Sequence, residues 1–258
     1  MLAIIMTEAE KLKRYAVLKA GVIIVILSGV FSFFPVLAND GVREDFPIIM
    51  NNILEYNCIY FFPAMIILIG GFIARREYME DTLKNILTVP VSIRKLLLGK
   101  IFMLFFLTIF FSILSGLLGI FLCCAAGLSN ITFPLIIEWT ARIVLGNIFL
   151  FVALLPITII ATLSVDAVYA CTAAGFVCGF LAIIEWAPMN YYPVKAVLIL
   201  FDPQCGVGYD FVHYSKAGAG FTLFIVFCIS VILFAALRPT NKLDRVKPLK
   251  KVVRAKGW

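Results

Sequence analysis

Six stretches of the chain, at about 17–38, 57–74, 98–128, 143–165, 167–187 and 219–237, are almost continuously apolar and nearly free of charge. A run of roughly 18–20 such residues is long enough to cross the hydrocarbon core of a bilayer as a helix. Inside lipid the backbone has no water to bond, so a helix that satisfies its own N–H and C=O groups is the form available to an uninterrupted apolar run. A β-barrel would show short segments of alternating polarity instead. The composition agrees: 63% of the residues are hydrophobic and the mean hydropathy is +1.05. The expected fold is an all-α integral membrane protein with six transmembrane helices over residues 17–237. The third run is long enough to tilt or to project beyond the membrane, whereas the second and the last are close to the minimum length.

Lys and Arg set the orientation, because they accumulate on the cytoplasmic side. With the N-terminus inside, the inner segments hold eighteen of the 22 basic residues, and the outer loops keep only Arg43, Arg142, Lys195 and Lys216. Both termini are therefore expected in the cytoplasm, in a multi-pass membrane protein. The net charge of +7 follows from this topology and from attraction to anionic inner-leaflet lipids. It calls for no nucleic-acid partner.

Residues 1–16 read as an interfacial helix. Thr7 and Glu10 have the spacing of a capping box, and Ile5, Ala9, Leu12 and Ala16 share a face. About twenty residues precede the first long apolar run, and that run exceeds a signal-peptide core, so cleavage after Ala38 is not expected. The tail, 238–258, carries eight basic residues and one acid and is expected at the inner membrane surface. Six of the seven cysteines fall in the apolar runs and Cys205 falls in an outer loop. No CxxC pair occurs and no disulfide framework is implied.

The richest charge cluster lies between the second and third runs. Residues 74–100, ARREYMEDTLKNILTVPVSIRKLLLGK, hold nine charged residues among 27. Glu77 to Leu87 is rich in helix formers. Leu83, Ile86 and Leu87 recur at i, i+3 and i+4, and Glu80 and Asp81 precede Lys84 as the helix dipole favours. Pro90 stops that helix, and Ser92 can cap a new one carrying Arg94 and Lys95 into the third span. Positive-inside topology explains the arginines, but an amphipathic helix followed by a proline stop is more than a connector requires. Its apolar edge fits a groove on a cytoplasmic partner. The coupling segment is placed at 75–97. Asp166, in the short turn between spans four and five, caps the fifth helix or touches the same partner, and the two roles are compatible.

On the outer side, Glu138 and Arg142 are four apart and read as a helical ion pair. The region 188–218 is aromatic and broken by prolines. Its apolar piece Val194–Phe201 is too short to span and reads as a re-entrant or surface helix. Trp186, Tyr191, Tyr192, Tyr209 and Tyr214 suit a headgroup-level belt or contacts to an amphiphilic substrate.

The chain shows no catalytic signature. His213 is the only histidine, and HExxH, GxSxG and GK[ST] phosphate-loop motifs are absent. Charges fall at the estimated span ends, which disfavours a proton relay or an ion filter. No catalytic and no metal-ligating residue is assigned, and a transport role would draw its energy from elsewhere.

The run Glu77…Asp81-Thr82-Leu83-Lys84-Asn85-Ile86-Leu87-Thr88…Pro90-Val91-Ser92…Arg94-Lys95-Leu96-Leu97-Leu98-Gly99-Lys100 resembles the pattern that follows span two in permease subunits of the second class of ABC exporters. Within that class the chain is most similar to the small permeases that protect bacteria against bacitracin and lantibiotics, and EAEKLKRYAVLK resembles their N-termini. The resemblance implies a coupling helix at 77–87 against a separate ATP-binding-cassette subunit. Glu77, Asp81, Thr82, Leu83, Ile86, Leu87, Pro90 and Arg94 would form the contact, with a second one at Asp166. It implies a working unit of two permeases, identical or paralogous, and two ATPases. ATP and Mg would sit on the ATPase, with no cofactor bound by this chain. The cargo stays open between antimicrobial peptide, lipid, glycan and small drug, and a non-transporting sensor or scaffold is the reading from another class.

Overall fold

Apolar sequence without charge folds here as expected from backbone satisfaction: all regular structure among the described residues is helical. The computed structural model describes residues 16–37, 45–79, 93–128, 131–163, 167–207 and 213–236. The elements are α1 (Ala16–Leu37), α2 (Phe46–Tyr56), a π-helical turn (Asn57–Phe61), α3 (Phe62–Met79), α4 (Ile93–Ala125), α5 (Phe133–Leu163), α6 (Val168–Phe180), α7 (Pro193–Phe201) and α8 (Lys216–Ala236). Short 3-10 turns at Leu181–Ile183 and Ala187–Tyr191 link α6 to α7. The interfacial N-terminal helix and the basic tail expected from the sequence lie outside the described residues.

Among the described residues, five helices are long and apolar enough to cross a membrane: Val17–Pro35, Phe46–Ala74, Lys95–Ala125, Phe133–Thr162 and Lys216–Ala236. The fifth expected span, 167–187, is shorter than the sequence implies. Its α-helix has 13 residues and ends in the three-residue turn Leu181–Ile183, after which Ile184 is extended.

The second span departs most from expectation. It begins at Phe46, not near 57, and α2, the π turn and α3 run on as one rod to Met79. Asp45 is the extended N-cap residue, and its carbonyl accepts from the N–H groups of Ile48 and Ile49 at 3.1 and 3.3 Å. Pro47 falls in the first turn, where its missing N–H costs nothing. Phe46, Ile49, Met50, Ile53 and Leu54 then form one buried face. Asn51, Asn52 and Glu55 interrupt the hydropathy without interrupting the helix. At its far end α3 also continues through Glu77, so the helix expected to begin there is at its start a continuation of the span.

The π turn has a local cause. Pro63 has no N–H to offer the carbonyl of Ile59, and the Phe62 N–H bonds back to the Asn57 carbonyl, five residues away. The freed Ile59 carbonyl faces α6 at Gly179, where a Cβ would lie only 2.2 Å from that oxygen. Gly175, one turn earlier, lies against Ile67 and the Pro63 carbonyl. A glycine pair four residues apart brings α6 onto the rod at backbone contact.

The rod is the centre of the bundle. α1, α4, α5 and α6 pack around it, while α7 and α8 pack on α5. Asn57, fully buried at the first residue of the π turn, joins three helices: it accepts from the Ser28 hydroxyl of α1 at 2.5 Å and donates to Ser115 of α4 at 2.9 Å. Uncharged polar groups therefore pair with one another in the interior of the long helices. The outward faces carry large exposed apolar residues such as Phe34, Phe106, Phe121, Phe224 and Ile232, the composition of a lipid-facing surface.

Candidate functional site

Three regions of the bundle bear on function, and the first is the end where α3 and α4 approach each other. Gly70 faces Leu104 of α4, and the buried Lys100 donates to the Ile73 carbonyl at 3.5 Å. Gly71 faces Val168, the first residue of α6. The ends of α3, α4 and α6 thus meet, and the segments 80–92 and 164–166 leave from neighbouring helix ends. Asp81, Thr82, Leu83, Ile86, Leu87, Pro90 and Asp166 lie outside the described residues. Glu77 sits in the last turns of α3 and Arg94 in the first turn of α4. Ala167 holds the N-cap position of α6, without a side-chain cap.

The second region is the cap formed by the two 3-10 turns, α7 and the start of α8. α7 is a nine-residue helix buried over Val194–Ile199. Lys195, 2% exposed, forms an ion pair with Glu185 and lies 5.6 Å from the centre of the Tyr214 ring. The Tyr214 hydroxyl donates to the other Glu185 oxygen at 2.6 Å. The Asn190 side-chain oxygen accepts from the Ser215 N–H at 2.9 Å, and the Tyr192 hydroxyl donates to the Cys178 carbonyl at 2.6 Å. These contacts hold α7 and the turn before it between the end of α6 and the start of α8. Of the aromatic residues singled out in the sequence, Trp186 and Tyr191 are exposed, Tyr192 and Tyr214 serve as internal donors, and Tyr209 lies outside the described residues. The Glu138–Arg142 pair forms at 2.7 Å, with Arg142 also 5.0 Å from the Trp139 ring. It sits on α5 itself.

Beneath the cap, the carboxylates of Asp202 and Glu55 lie within electrostatic reach of Lys195 and Glu185. Burial pushes the Asp202 carboxyl above the ordinary carboxylate value, against the opposing pull of the Gln204 N–H, the Asn51 amide and Lys195. Burial likewise raises the Cys205 thiol to about 12, and burial with the bond to Glu185 raises the Tyr214 phenol. Because folding raises the Asp202 pKa, its charge destabilises the fold. That cost is absent at acid pH, grows as pH rises from 3.8 through the raised folded value, and is complete above it. Asp202→Asn is accordingly expected to raise the melting temperature at about pH 8, with the gain shrinking toward acid pH. A pH series of thermal unfolding curves for both proteins checks this, and a gain that grows on acidification would contradict it.

The third region is a cavity of about 530 Å³ between α1, the π turn and α6. Ile24 and Phe31 of α1, Tyr56, Tyr60 and Phe61 of the rod, and Phe176 of α6 line it. Phe31 contacts Phe61 at 5.8 Å between ring centres, and Tyr60 contacts Phe180 at 6.2 Å. Tyr56 and Tyr60, four residues apart with ring centres at 5.6 Å, share this wall, giving an aromatic, mainly apolar surface with phenolic tips. Such a surface suits one face of an amphiphile.

Sequence reasoning missed this wall and the carboxylates Glu55 and Asp202. NNILEYN held the available signal: Asn51 and Glu55 are four apart in an otherwise apolar stretch, as on one helix face.

The chain matches the ABC-2 family transporter protein family over residues 4–182, which takes in α1 through α6 and both segments that leave the α3–α4–α6 end. No curated protein and no solved structure matches it.

Proposed function

The chain belongs to the ABC-2 transporter protein family, and from that premise we propose that it is the permease of an ATP-driven exporter that removes amphiphilic antimicrobial peptide, of lantibiotic or bacitracin type, from the membrane. Family membership makes it a multi-pass membrane permease subunit of an ABC transporter, with ATP hydrolysis on a partner subunit. A bacterial plasma membrane fits this assignment.

The observation that carries the peptide reading is the aromatic cavity between α1, the π turn and α6. It is apolar with a few phenolic groups, as a substrate partitioned into lipid would require. The outer cap adds the exposed Trp186 and Tyr191, both beyond residue 182, where the family match ends. In this reading six helices cross the membrane, α6 with its following turns being the short one, and both termini face the cytoplasm. The segment 75–97 grips the ATPase, Asp166 adds a second contact, and two permeases pair. ATP binding shifts the pair between two conformations.

The test is a resistance profile. Cells lacking the gene are expected to become several-fold more sensitive to lantibiotics or bacitracin, and a Tyr60→Ala copy should restore less protection than the wild type. Unchanged sensitivity to peptides, with altered export of lipid, glycan or small drugs, would move the cargo to that class. No change in any export would favour a sensor or scaffold.

A further inference from the structure

Asn147 is fully buried in α5, and neither its Oδ1 nor its Nδ2 has a hydrogen-bond partner among the described residues. An amide left unpaired in apolar surroundings carries its desolvation cost without compensation. In a bundle embedded in lipid, no bulk water relieves it.

The neighbourhood of Asn147 follows from the register of the α4–α5 seam. Gly116 of α4 meets Thr140 of α5, whose Cγ2 would be 3.3 Å from a Cβ at Gly116. Phe105 of α4 meets Phe151 of α5 at 5.6 Å between ring centres. Equal steps along both helices separate these two contacts, so the helices run antiparallel in one continuous register. Ser112 is one turn from Gly116 and Asn147 is one turn from Phe151, so both point into the seam. In this register Asn147 is level with Ile109, and Ser112 lies three residues farther along, about 4.5 Å on the axis.

Ser112 is also fully buried, and its hydroxyl donates to the Thr108 carbonyl of its own helix at 2.6 Å. Its oxygen keeps lone pairs that can accept from an amide without breaking that bond. The Thr140 hydroxyl, in the same seam, also lacks a hydrogen-bond partner among the described residues.

We propose that Asn147 is a conformational clasp: unpaired in the conformation described here, its amide closes on the Ser112 hydroxyl when α5 shifts along α4 in the other conformation of the transport cycle. The unpaired amide disfavours the present conformation, and the new bond favours the other. Asn147 thereby sets the balance between the two states that the ATPase drives. A leucine at this position removes both effects and holds the permease where it is. The inference rests on the two-conformation reading above, so its test has one arm that needs no ATPase.

In that arm the full-length chain is purified in detergent and melted. Asn147→Leu is expected to raise the melting temperature by roughly 2–4 °C, whereas Ser112→Ala leaves it nearly unchanged. In the second arm the complex with its ATPase is purified and ATP turnover is measured. Either substitution is expected to lower turnover roughly tenfold. The double variant should be no slower than Asn147→Leu alone, because both remove one bond. A lowered melting temperature for Asn147→Leu, unchanged turnover in Ser112→Ala, or losses that multiply in the double variant would overturn the clasp. An Asn147→Leu chain that does not fold would overturn it on the first arm alone, without any turnover measurement. Should the wild-type complex show no ATP turnover, the exporter reading fails, while the melting comparison still decides for or against Asn147.

Discussion

Gly179→Leu is expected to yield a chain that cannot assemble α6 onto the central rod. Even the first carbon of a side chain at this position would lie 2.2 Å from the Ile59 carbonyl oxygen and 2.8 Å from Pro63 Cγ. The obstacle is backbone, so no rotamer change relieves it. Ile59 in turn is fixed by the π turn that Pro63 imposes. Overpacking of a tight contact costs about 1–3 kcal/mol and occasionally more, and a clash with backbone belongs at or above the upper end of that range. Size-exclusion profiles and melting curves in detergent would show aggregation or a large fall in melting temperature. Gly220→Leu is the control: a Cβ there meets nothing within 4 Å, and the variant should behave as the wild type. A normal Gly179→Leu protein would refute the backbone contact between α6 and the rod, and with it the geometry of the aromatic cavity.

Leu83→Asp is expected to separate the permease from its ATPase while leaving membrane insertion intact. Leu83, Ile86 and Leu87 repeat at i, i+3 and i+4 in the segment that joins the α3 and α4 ends. Apolar residues on one edge of a coupling helix would enter a groove on the ATPase. A carboxylate at the first position of that edge loses the apolar contact and introduces an unpaired charge into the interface, a substitution of the kind that costs about 2 kcal/mol or more at a hot spot. The corresponding loss in affinity exceeds roughly tenfold. Insertion depends on the apolar spans and is untouched. Pull-down of the ATPase with wild-type and variant permease, both confirmed in the membrane fraction, checks this. An intact complex would show that the docking edge is misassigned.

The helical membrane architecture was legible in the sequence because it depends on long apolar runs: the third and last runs fall on α4 and α8 to within a few residues, and the fourth falls on α5, which begins about ten residues earlier, at Phe133. The Glu138–Arg142 pair and the short α7 were legible for a similarly local reason: one needs only four-residue spacing, and the other only an apolar stretch bounded by proline. The start of the second span was not. Asn51, Asn52 and Glu55 lower the local hydropathy, and only the packing around α2 reveals that Phe46, Ile49, Met50, Ile53 and Leu54 are its buried face. The π turn was hidden too, since Pro63 signals a disrupted hydrogen bond but not how the helix absorbs it.

Sites built from distant segments were the least legible. Asn57 gains its meaning from Ser28 and Ser115, which come from two other helices. Lys195 pairs with Glu185 across a break in secondary structure, and Asp202 meets Asn51 only after α7 folds back onto the rod. The residues proposed to couple to the ATPase show the reverse. Their pattern is local and conspicuous in the sequence, and the described structure contributes the convergence of the helix ends from which they depart.

The most direct test of the central claim, a membrane permease driven by a separate motor, is gentle affinity purification of the intact chain from native membranes with mass spectrometry of whatever accompanies it. The account predicts an ATP-binding-cassette subunit in amounts comparable to the permease, lost on Leu83→Asp. A chain that emerges without such a subunit, under conditions that keep other ABC transporters assembled, would contradict it.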